Sequence, residues 1–174
     1  MKKKVFIGII VLGALLLLFS SSNNVYAEKV QLHFDDRQWE VGYNAKNNEQ
    51  GIIEYVLKGE SVSAWSELVT AQIMFGLQTK VSAREYMEDM EKNIKKMCPN
   101  AKWDVIVDGA NDILFEWQVA DIPNYADQYE ITRIINGNEG IHIIHYATKK
   151  PPISSERRSE WIKLLKSATL VSYK

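Results

Sequence analysis

From residue 28 onward, polar and apolar positions alternate. Val30, Leu32 and Phe34 interleave with Gln31 and His33, and Trp39, Val41 and Tyr43 interleave with Glu40 and Gly42. A period of two sends successive side chains to opposite faces, so strands are predicted over Val30 to Phe34 and Gln38 to Tyr43, each with one wet face. A third extended stretch, Gly51 to Leu57, lies beyond the polar segment Asn44 to Gln50. A fourth, Glu67 to Phe75, sets Val69, Ala71, Ile73 and Phe75 against Leu68, Thr70, Gln72 and Met74. The period then changes. Met87, Met90, Ile94 and Met97 recur at spacings of three and four, and Ser82-Ala83-Arg84-Glu85 has the form of a capping box. A helix is predicted from that box to the stop at Pro99, its stripe packed on the sheet rather than offered as an adaptable methionine surface.

Alternation returns at Trp103 to Val107 and Ile113 to Val119, around Asp108-Gly109-Ala110-Asn111-Asp112. It returns again at Gln128 to Ile135 and Ile141 to Thr148, around Asn136-Gly137-Asn138-Glu139-Gly140. Asn and Gly tolerate the positive φ of tight reversals, so both pairs read as hairpins, with Asp121 to Asp127 as the loop between them. After Pro151-Pro152, Ser154 or Ser155 caps a last helix with Trp161, Leu164, Leu165 and Ala168 on one face. The order of four strands, helix, four strands and helix predicts an α+β fold. An antiparallel sheet of about six to eight strands would carry two amphipathic helices, with the choice of face left open.

The first 27 residues follow a different pattern. Lys2, Lys3 and Lys4 precede an uncharged run from Val5 to Phe19, and Val25-Tyr26-Ala27 puts small residues at the positions a leader peptidase reads. This predicts a signal peptide over 1–27, cleaved before Glu28, because the apolar run of 15 residues is short of the roughly 20 that span a bilayer. The mature chain, 28–174, is then one α+β domain, exported through the inner membrane to the periplasm or beyond and without stable membrane insertion. Of the whole chain, 46% is apolar and 25% charged, which is a globular composition. Removing three lysines and no acid leaves 18 basic and 22 acidic groups, a net charge of −4. That balance argues against a nucleic-acid partner and leaves an unknown protein or a small ligand.

Candidate chemistry is sparse. No glycine-rich phosphate loop, Gly-x-Ser-x-Gly elbow, His-Glu-x-x-His or paired cysteines at metal spacing occurs, so no cofactor or metal is implied. His142 and His145 are three apart in a strand, which sends them to opposite faces. A thiol enzyme would use Cys98 with His142 or His145 as base and Asp104 or Asp108 as orienter. Cys98, however, ends the predicted helix instead of opening it, where the dipole would lower its pKa. Among Glu54, Glu60, Glu67, Glu116 and Glu130 no spacing singles out a carboxylate pair for hydrolysis. The aromatics Trp39, Trp65, Trp103, Trp117 and Trp161 suit either a packed core or a carrier of an apolar ligand. The loop from Glu60 to Glu67 combines Trp65 with two carboxylates and three serines. Glu60, Trp65 and Glu67 are the predicted binding residues, with burial of Trp65 as its structural role.

The stretch Gly59-Glu60, Trp65-Ser66-Glu67 and Thr70-Ala71-Gln72 resembles a pattern in small exported bacterial proteins of uncharacterised function. The helix after strands, the hairpins and the C-terminal helix are more loosely similar to the PsbP-like α/β/α sandwich. That resemblance implies a non-catalytic binding or assembly factor, and it transfers no site residue.

Overall fold

The computed structural model describes residues 28–123 and 125–172, and the predicted leader lies outside the described residues. Among the described residues, nine strands and two α-helices run in the order β1 (Glu28–Gln31), β2 (Trp39–Lys46), β3 (Gln50–Leu57), β4 (Glu67–Phe75), α1 (Ala83–Met97), β5 (Lys102–Asp108), β6 (Asp112–Val119), β7 (Gln128–Asn136), β8 (Gly140–Thr148), α2 (Ser155–Ser167) and β9 (Thr169–Ser172), with a short 3-10 turn at Leu77–Thr79 before α1. Seven strands form one antiparallel sheet, ordered β2-β3-β4-β8-β7-β6-β5, while β1 and β9 pair as a separate antiparallel ribbon. The sheet is two meanders joined edge to edge by the β4·β8 ladder, which runs from Glu67↔Thr148 to Phe75↔Gly140. The fold is therefore α+β, with a helix on each face.

One strand serves both helices because its side chains alternate. Ile113, Phe115 and Trp117 pack with Ala83, Met87 and Ile94 of α1, while Leu114 between them packs with Trp161 and Leu165 of α2. All nine residues of β8 are buried. The single wet face read from alternation thus fails at the centre, where helices cover both sides, and also in the edge strand β2, where Val41 and Tyr43 of the apolar set are themselves exposed. Both edge strands carry a register shift, at Val41/Tyr43 in β2 and Val105/Val107 in β5. A bulge there bends the edge and discourages pairing with another chain.

Local chemistry fixes the helix ends. Ser82 Oγ accepts from Glu85 N (3.2 Å) while Glu85 Oε2 accepts from Ser82 N (2.7 Å), the reciprocal box the sequence predicts. The stripe of α1 ends at Ile94, since Met97 is 47% exposed. Ser154 caps α2 by accepting from Arg157 N. At the other end, Arg133 Nη1 donates to the carbonyls of Leu165 (2.7 Å), Lys166 (3.1 Å) and Ala168 (2.8 Å), where the last turn runs out of intrahelical donors.

The first predicted strand is displaced and one further strand is present. The first strand covers Glu28–Gln31, and Leu32 and Phe34 fill core space beyond it instead of continuing the ladder. The chain also adds β9, which the alternation pattern does not announce.

Candidate functional site

α2 covers the β6–β8 part of its face and leaves β2, β3 and the outer side of β4 to the N-terminal segment. That segment forms the β1–β9 ribbon and then crosses toward β2, so a cleft of about 960 Å³ remains between ribbon and sheet. Leu32, Phe34, Ile53, Tyr55, Ala71 and Ile73 supply apolar walls. Strand register explains the convergence: Tyr55 pairs with Val69, Ile53 with Ala71 and Gly51 with Ile73, so one face of β3 and β4 is presented throughout. An aromatic chain ties this wall to α2. Phe34 meets Tyr55 edge-on at 4.9 Å, lies 5.8 Å from Trp39, and Trp39 meets Trp161 at 5.6 Å.

At the Ile73 end of the cleft stands a buried polar pair, His142 Nε2 and Glu28 Oε2, 3.0 Å apart. Burial pushes His142 below the ordinary histidine value, against the opposing pull of Glu28 and Glu139. The result is a concave apolar recess with hydrogen-bonding groups at one end, in the volume range of roughly 300–1,000 Å³ found for small-molecule sites.

The opposite face of the sheet carries a different feature. Glu54, Thr70, His145 and Thr132 are successive cross-strand partners on β3, β4, β8 and β7, and all four are buried. His145 Nδ1 lies 2.6 Å from Glu130 Oε1 and 3.0 Å from Thr132 Oγ1, and Gln128 Nε2 donates to Glu130 Oε2 at 3.2 Å. Glu54 Oε1, Thr70 Oγ1 and Gln128 Oε1 are buried without a hydrogen-bond partner. Burial raises the Glu54 pKa, with His145 opposing it. Glu54 and Glu130 thus flank one imidazole, a grouping that linear spacing conceals. Its signal in the sequence is a run of polar residues at alternate positions of otherwise apolar strands, Gln128, Glu130 and Thr132 above all.

The residues singled out in the Glu60 to Glu67 loop go to three separate places. Glu60 turns back on its own loop and accepts from Ser66 N (2.8 Å) and Ser66 Oγ (2.6 Å). Trp65 is 3% exposed and packs with Val56, Leu68 and Ala147, while Lys149 Nζ lies 3.7 Å from its ring centroid. Glu67 reaches the α2 face, where Arg37 grips both its oxygens at 2.7 Å and Tyr146 Oη donates at 2.5 Å. The guanidinium and hydroxyl hold Glu67 below the usual carboxylate range despite its burial.

The elements of a thiol site are likewise apart. Cys98 is buried with its Sγ 3.9 Å from Ala120 O, His142 and His145 lie on opposite faces with Glu28 and Glu130, Asp108 pairs with Arg84, and Asp104 is exposed. Among the described residues no group of three or more His, Cys, Asp or Glu is placed to hold a metal ion, and no helix is long and apolar enough to cross a membrane.

No curated protein and no solved structure matches the chain. Residues 26–171 match the model of an uncharacterised protein family, and the chain belongs to that family.

Proposed function

We propose that the protein is an exported binding module that holds an apolar or amphiphilic small molecule in the cleft between the β1–β9 ribbon and the open half of the sheet. The observation that carries this reading is the cleft itself: about 960 Å³, walled by Leu32, Phe34, Ile53, Tyr55, Ala71 and Ile73, with polar groups gathered at the Glu28 and His142 end. Burial of apolar ligand surface against such walls supplies the affinity, and the polar end supplies orientation. Export is supported by the cationic, apolar and small-residue parts of residues 1–27. The PsbP-like resemblance, which implies non-catalytic binding factors, points the same way.

The test is a titration of the chain 28–174 with 1-anilinonaphthalene-8-sulfonate, followed by displacement with lauric and palmitic acid. Saturable one-to-one binding is expected, weakened about tenfold or more in Ala71→Trp, which fills the cleft without emptying the core. Binding that is absent, or that Ala71→Trp leaves unchanged in a protein with an unaltered melt, overturns the reading.

A further inference from the structure

Glu28 is set into a socket formed by the β7–β8 hairpin. Its carboxylate accepts from Asn138 N (2.9 Å), Asn138 Nδ2 (3.2 Å) and Glu139 N (3.4 Å), and lies beside His142 Nε2. Only 4% of the residue is exposed. The socket requires a glycine at 137, since a Cβ there would fall 2.1 Å from Glu28 Oε2. The backbone nitrogen of Glu28 lies 3.3 Å from Glu139 Oε2. Glu139 thus offers its carboxylate to the backbone nitrogen of the residue whose side chain its own backbone holds. The partners of the Glu28 carboxylate are neutral amides and a histidine that burial disfavours in its charged form.

In an uncut chain the Glu28 nitrogen is an uncharged peptide nitrogen. Hydrolysis of the Ala27–Glu28 bond by a leader peptidase consumes one water. The Ala27 carbonyl carbon takes the hydroxyl and leaves as a carboxylate on the leader, and the Glu28 nitrogen takes the proton and becomes an amine. Such an amine, with an ordinary pKa of about 7.7–8.0, is largely protonated at neutral pH.

We infer that Glu139 is the receptor for the mature N-terminus: removal of the leader creates an α-ammonium on Glu28 that pairs with the Glu139 carboxylate and fastens the β1–β9 ribbon across the cleft. The predicted cleavage point and the socket agree to the residue, although they come from independent features. One is the Val25-x-Ala27 pattern, the other the bonding around Glu28 and Gly137. The ammonium also places a positive charge on the same residue as the buried Glu28 carboxylate. The inference rests on the export reading and is independent of any ligand.

Three forms of the chain separate the possibilities: one beginning at Glu28, one beginning at Ala27, and one beginning at an N-acetylated Glu28, each with Glu139 and with Glu139→Gln. The Ala27 form keeps the charge but displaces it by one residue, and the acetylated form keeps the position without the charge. The Glu28 form is expected to melt about 2–4 °C above the other two, the shift that a modest ion pair gives a chain of this size. That difference should vanish in Glu139→Gln. Titration of the α-amino group by NMR should show its pKa raised by Glu139 and returned toward the free value in the variant. Equal melts for the three starts, or a difference that survives Glu139→Gln, overturns the inference and leaves the export reading standing. Mass spectrometry of the exported protein tests that reading separately: a chain that retains its leader overturns both.

Discussion

Trp65 and Glu54 show how differently two buried side chains of one sheet face behave. The indole of Trp65 fills the space between Val56, Leu68 and Ala147, with the Lys149 ammonium over its ring. Trp65→Ala is expected to lower stability by about 3–5 kcal/mol, measured by denaturant unfolding, because it leaves a cavity at the sheet end. A loss below about 1 kcal/mol would show that the ring is not a packing element. Glu54 is a carboxyl with an unpartnered oxygen, its pKa raised from 4.5 by burial. The folded state therefore keeps a proton that the unfolded state releases, so stability is full below about 4.5 and falls as pH rises from there through the folded value. Glu54→Gln keeps the shape without the titration. Its melting temperature should match the parent near about pH 4 and exceed it at neutral pH; parallel pH profiles would refute the assignment.

At the scale of elements, the legible parts are those whose causes are local. The capping box at Ser82 places the start of α1 because its two hydrogen bonds span only three residues, and alternation places β4 at Glu67–Phe75. β9 escapes notice because Leu170 and Val171 are its only apolar pair, and its partner β1 lies at the far end of the chain. The face each helix covers is also hidden, since Ile113, Leu114 and Phe115 are apolar on both sides. The cleft and the Glu54, His145 and Glu130 group are products of register: their residues lie far apart in sequence and meet only through β3·β4, β4·β8 and β7·β8 pairing. Arg133 is a long-range device of the same kind, joining β7 to the end of α2 and pairing with Asp112 at 2.8 and 2.6 Å. Arg133→Met keeps the apolar stem but strands those carbonyls. It is expected to cost about 1–3 kcal/mol and to speed amide exchange selectively in the last turn of α2. Uniform loss across the sheet instead would argue that Arg133 does not act at the helix end.

For the whole molecule, the consequence of two cores on one sheet is that most of the chain should open as a unit, because β6, β7 and β8 each contribute side chains to both layers. The β1–β9 ribbon is the exception. It has four residue pairs, Glu28↔Ser172 to Gln31↔Thr169, and a two-stranded ladder of that length is marginal without support. Its support comes from the Glu28 socket and from Val30, Leu32 and Phe34 packed against the α2 layer. The ribbon is also one wall of the cleft. A ligand lying between ribbon and sheet would therefore hold closed the part of the molecule that opens most easily. Native-state hydrogen exchange tests this directly. Without ligand, the amides of Lys29, Gln31 and Leu170 should exchange through openings that cost less than global unfolding, while those along β4 and β8 should exchange only with it. Saturating the cleft should slow the ribbon amides toward the global rate and leave the β4·β8 ladder protected as before, apart from the rise in global stability that binding itself confers. If the ribbon already exchanges only by global unfolding, or responds to ligand no more than the distant β5–β6 hairpin does, the ribbon is a fixed wall and the cleft does not open through it.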